Sequence, residues 1–194
     1  MSNQNYYLLA SLAEAGCSMT EESEKQAWTT WRCRKSQHTR PGFEGVDVVL
    51  KSAPERSSLN FEVRLGIASM EFLSALGMDV VERHFYLGRV LLRNGTQLDN
   101  WATFHGRQKI IVRGTNDVGY HLCSECNQPC YYASPPSYLY PRPPADAEIF
   151  DAGFGSIVVV ERILDRIRST VWKKLLIEEL LVLDSPKDGL GELV

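Results

Sequence analysis

Apolar and polar positions alternate over short distances through most of this chain, and a longer helical period appears in few places. The stretch "NYYLLASL" (5–12) predicts an edge or first strand. "MTEESEKQAWTTWR" (19–32) predicts a helix, with Thr20 as N-cap and glutamates in or near the first turn, where the helix dipole favours them. "VDVVL" (46–50) and "FEVRLG" (61–66) read as strands. In 67–78, Ile67, Met70, Phe72 with Leu73, and Leu76 fall near helical spacing, with Gly77 at the C-cap. Residues 79–92 read as strand, and Asn94-Gly95 marks a hairpin turn before "TQL". "KIIVRG" (109–114) reads as a buried strand, and short strands flank Pro135-Pro136. The pattern Ile157, Val160, Ile163, Leu164, Ile167, Val171 predicts an amphipathic helix over 156–172, capped by Ser156. "LLIEELLVLD" (175–184) reads as a closing strand. Many short strands with two to three helices imply an α+β fold with a mixed or antiparallel sheet.

Composition sets the class. The chain has 194 residues, 44% of them hydrophobic and 23% charged, which suits a globular domain with a sizeable core. We expect one domain over 1–194, divisible into sub-lobes of about 1–115 and 116–194. A net charge of −3 argues against a general nucleic-acid binder. The N-terminus lacks the basic and apolar regions of a signal peptide, and no apolar run approaches a membrane span, so a cytoplasmic protein without a membrane partner is expected. Five cysteines, an odd number, are a poor disulfide framework there.

Three of those cysteines lie in "YHLCSECNQPCYYA" (120–133). A C-x-x-C turn puts two thiolates on one side of a knuckle, within reach of a tetrahedral Zn²⁺. Asn127 follows the second cysteine, at a position that favours a left-handed backbone. A redox pair should follow a strand and open a helix, whereas Pro129 and Tyr131-Tyr132 follow here. An ordinary turn with free thiols is the remaining alternative. If Cys123 and Cys126 form half a metal site, the other half must come from elsewhere. Cys130 and His121 are close in sequence; the more distant option is "WRCRKSQH", with Cys33 and His38. Together Cys123, Cys126, Cys33 and His38 would make a zinc-ribbon-like site whose metal is structural. Cys17 reads as an ordinary thiol.

No other constellation points to a reaction. His84 reads as a strand residue and His105 as a turn residue, and no Cys–His nucleophile pattern surrounds them. The chain has no G-x-S-x-G, H-E-x-x-H, P-loop or G-x-G-x-x-G sequence. Asp151-Ala-Gly-Phe-Gly155 reads as a strand-to-helix turn. The basic run "WRCRKSQHTR", beside Trp28 and Trp31, reads as a solvated loop. Acidic residues near the C-terminus, among them Glu178, Glu179 and Asp184, suit a face that meets a basic protein.

"YHLCSECN" and "AEIFDAGFGSIVVVERILDRIRSTVWKKLLIEEL" resemble a bacterial family described by a double C-x-x-C-G motif, some of whose members are immunity proteins against contact-delivered toxins. The resemblance covers about the last 85 residues, and the first 110 loosely. Cys123, Cys126 and Cys33 carry over from the family's two motifs. Asn127 stands where the family has glycine, and the first motif reads Cys33-Arg34-Lys35-Ser36, with a serine for the second thiol. The resemblance implies a non-enzymatic protein whose partner is a cognate toxin and whose cofactor is structural zinc or its remnant. The alternative is a zinc-ribbon protein binding nucleic acid through Arg32, Arg34, Lys35 and Arg40. Oligomeric state is not legible.

Overall fold

The structure, a computed structural model, describes residues 4–11, 18–36, 43–54, 59–62, 65–114, 121–127, 129–130, 137–153, 155–172 and 175–184. In chain order the elements are β1 (Tyr6–Ser11), α1 (Glu21–Thr29), β2 (Val48–Leu50), β3 (Leu59–Glu62), β4 (Leu65–Ser69), α2 (Met70–Leu76), α3 (Met78–His84), β5 (Phe85–Leu92) and β6 (Gln97–Gly106). They continue with β7 (Val112–Gly114), β8 (His121–Leu122), β9 (Pro129–Cys130), β10 (Ser137–Leu139), β11 (Ile149–Gly153), β12 (Ser156–Val160), α4 (Glu161–Arg168) and β13 (Leu175–Val182). The fold is α+β with mixed, mainly antiparallel sheets. Among the described residues no helix is long and apolar enough to cross a membrane.

A six-stranded sheet runs β11-β12-β1-β13-β10-β7, and a five-stranded sheet runs β2-β5-β6-β4-β3. Each is antiparallel except at one pair, β10 with β13 and β2 with β5. Strand β1 is therefore interior, hydrogen-bonded to β12 on one side and β13 on the other, and not an edge. The five-stranded sheet is covered on both faces, which the side-chain alternation makes visible. Phe85, Ala102 and Phe104 join the main core with β1, β12, α2, α3 and α4. Leu65, Ile67, Val90 and Trp101 face a second core with Val48, Leu50, Ala27 and Trp31. Gly66 pairs with Phe104, and a Cβ there would run into the Phe104 ring.

Three segments depart from the expected pattern. Residues 156–160 are strand, not the first turns of a helix, and α4 spans only Glu161–Arg168. Ile157 to Val160 form a β-branched run buried on both sides, and such a run satisfies helical and strand periods alike. The helix expected over 67–78 begins at Met70, because Leu65 and Ile67 share one strand face and Ser69 is the N-cap, accepting from the Phe72 N–H at 3.2 Å. Residues 79–84, expected as strand, lie in α3, with Asp79 in its first turn and Arg83 and His84 in its last. Gly77, at φ 102°, ends α2 and opens α3, and the Arg166 guanidinium from α4 donates to the Leu76 carbonyl beside it at 2.8 Å. Asp151–Gly155 turns from strand to strand, β11 to β12, and not into a helix.

Candidate metal centre

Helix α1 carries the first half of the site. Thr20 caps it, its hydroxyl accepting from the Ser23 N–H at 3.2 Å. The helix is tied to β2 by the Thr20 N–H to Val49 carbonyl bond at 2.8 Å and by the Val49 N–H to Ser23 Oγ bond at 3.0 Å. Past Thr29 the chain folds back, and the Arg32 N–H reaches the Ala27 carbonyl at 2.7 Å. Arg32 is fully buried, its guanidinium 4.4 Å from the Trp28 ring centroid and 5.4 Å from that of Trp31. This anchored return delivers Cys33 and Ser36, both buried, on a tight turn. Downstream, Phe43 and Val46 are fixed by His105 and Thr103 of β6, whose side chains bond their carbonyls.

The second half is the β8–β9 hairpin, a two-stranded sheet of its own, in which His121 pairs with Cys130. Cys123-Ser124-Glu125-Cys126 is its turn. Asn127 takes φ 53°, the left-handed backbone expected of it, and its N–H closes the turn on the Cys123 carbonyl at 2.8 Å.

The two halves meet. The sulfurs of Cys33, Cys123 and Cys126 all lie within 4.8 Å of one another. Cys33 Sγ and Cys123 Sγ are 3.6 Å apart, across 90 positions of sequence. Tetrahedral Zn–S bonds of about 2.3 Å place sulfurs about 3.8 Å apart, so this is ligand spacing. None of the three is in a disulfide. Burial opposes charge on Cys123, but the N–H groups of Cys126 and Glu125 and the thiols of Cys33 and Cys126 outweigh it, lowering its pKa to about 6. A thiol so tuned is ready to ligate a metal ion. Lys35 Nζ donates to Ser124 Oγ at 2.8 Å and ties the tips of the two turns together.

The three cysteines expected to ligate are thus brought together and form a cluster able to hold a metal ion. His38, the expected fourth ligand, lies outside the described residues, as does Cys17. The residue that sequence reasoning passed over is Ser36. It was legible only as a missing thiol, yet its Oγ sits 3.1 Å from Cys126 Sγ, and the residue is 3% exposed. The signal was the shared spacing of Cys33-x-x-Ser36 and Cys123-x-x-Cys126.

Other residues singled out from sequence do not converge here. Of the basic run, Arg32 is buried, Arg34 and Lys35 are exposed, and Arg40 lies outside the described residues. His84 ends α3 and is not in a strand, and His105 lies in β6 and not in a turn. His105 Nε2 is 2.6 Å from the Phe43 carbonyl, and its ring packs against Tyr86 with centroids 5.3 Å apart. Burial holds the imidazoles of both histidines below their ordinary pKa. The sequence matches no protein-family model and no curated protein.

Proposed function

We propose that this chain is a non-enzymatic, cytoplasmic protein-binding protein of the immunity type, which neutralises a bacterial toxin by binding it. A structural Zn²⁺ held by Cys33, Cys123 and Cys126 stabilises its scaffold. The observation that carries the metal part is the meeting of three thiols from segments 90 residues apart. A thiolate-rich tetrahedral set suits zinc over harder cations. The β8–β9 hairpin has two strands, and a metal bridge would add to the Lys35–Ser124 bond that ties its turn to the anchored α1 return.

The binding part is supported by the sequence resemblance, and by β13. That strand sits inside the six-stranded sheet, yet Ile177 and Leu181 are 45% and 66% exposed, with exposed Glu179 between them on the same face. Exposed apolar side chains interleaved with acid suit a protein partner of basic surface. The nucleic-acid alternative loses ground, because Arg32 is committed to the interior.

Co-expression with the product of a neighbouring gene that proves toxic to the cell tests the reading. Native protein should protect the cells, and the Ile177→Asp and Leu181→Asp variants should fail to protect while melting at the native temperature. Absence of protection, together with absence of a complex between the purified proteins, would refute it.

A further inference from the structure

The two turns of the metal centre are built alike. In one, the Ser36 N–H points at Cys33 Sγ at 3.5 Å; in the other, the Cys126 N–H bonds to Cys123 Sγ. Two turns of the same form, facing each other, put the fourth residue of each beside the other pair. Cys126 fills that position in one turn and Ser36 fills it in the other. Three groups of the cluster are thiols, and the Ser36 hydroxyl lies 3.1 Å from one of them, Cys126 Sγ.

We propose that Ser36 Oγ is the fourth ligand, making a three-thiolate, one-hydroxyl zinc site. This rests on the metal reading above. Zinc bonds of about 2.3 Å to sulfur and about 2.1 Å to oxygen, at the tetrahedral angle, separate the two ligand atoms by about 3.6 Å. The 3.1 Å between Ser36 Oγ and Cys126 Sγ therefore needs an opening of only about half an ångström to admit the ion. Ser36 is buried, so the fourth corner is closed by protein, as in a structural site, and is not left to bulk water. The charge follows: a divalent ion with three thiolates and a neutral hydroxyl carries one net negative charge, where four thiolates would carry two. Lys35, exposed and bonded to Ser124 Oγ of the facing turn, lies near that charge. A hydroxyl is a weaker zinc ligand than a thiolate, so the centre releases its metal more readily than a four-cysteine site.

Cobalt substitution of the whole chain, with chelator competition for zinc, tests this on native protein, Ser36→Cys and Ser36→Ala. Cobalt-loaded Ser36→Cys should gain about a third more sulfur-to-metal charge-transfer absorbance, four thiolates against three, and hold zinc at least about tenfold tighter. Ser36→Ala should keep the three-thiolate spectrum and hold zinc about tenfold more weakly. If native protein binds cobalt and Ser36→Ala matches it in spectrum and zinc affinity, a fourth ligand from elsewhere is at work and the assignment of Ser36 is overturned. If native protein binds neither cobalt nor zinc, the metal reading itself falls.

Discussion

Removing the metal should cost stability, and the chain's topology sets one part of that cost. Cys33 and Cys123 are separated by 90 positions. In the unfolded chain, an ion holding both turns would have to close that loop, at a cost of about 4.6 kcal/mol in the chain-entropy description. The folded chain has already closed it, so it binds the same ligand set up to about two-thousandfold more tightly than the unfolded chain. That difference is the loop-closure share of what saturating zinc adds to the folding free energy. With unfolding entropy of roughly 2.1 cal/mol/K per residue over 194 residues, it corresponds to a fall in Tm of about 11 °C. The assay is calorimetry of zinc-loaded protein against protein stripped by a chelator and freed of it, with metal content measured on both. A fall of about that size or larger is expected, and it should be reversed by adding zinc. A fall below about 2 °C, with removal verified, would refute the claim that the centre bridges the two segments.

Further outcomes follow from the packing and the protonation states. Gly66→Ala drives a Cβ into the Phe104 ring across the β4–β6 pair and should cost about 1–3 kcal/mol by urea denaturation. Gly77→Ala strains a residue at φ 102° and displaces the Arg166 guanidinium from the Leu76 carbonyl, with a loss of about 1–3 kcal/mol by the same method. Burial keeps His105 neutral in the folded state below the pH at which the unfolded chain takes up a proton. The unfolded state therefore binds more protons, and stability should fall as pH drops below about 6.5. His105→Gln should flatten that slope in denaturation curves collected between about pH 5 and pH 7.

The fold class was legible because strand-length patterns with turn signals dominate the chain. Thr20 and Asn94-Gly95 marked local structure because the chemistry involved is local: a cap and a turn requiring positive φ. Periodicity misled where burial is complete. Ile157 to Val160 carry no polar face, so nothing in the run tells a helix from a strand, and only placement between β11 and β1 decides it. Val80 and Val81 favoured strand, but the flanking Gly77, Asp79, Arg83 and His84 set α3 instead. At the site, spacing and the left-handed Asn127 pointed to the Cys123–Cys126 turn. The approach of Cys33 is a long-range event that composition does not encode. Ser36 reads as a missing thiol in one dimension, and in three its hydroxyl stands 3.1 Å from Cys126 Sγ.

Metal analysis of the purified native chain beside Cys33→Ala and Cys123→Ala variants shows whether the three thiols hold a metal. One zinc per native chain is expected, with a loss of bound zinc in each variant, since each removes one of three converging thiols. A native chain that purifies without metal and takes up no zinc when it is offered would contradict it.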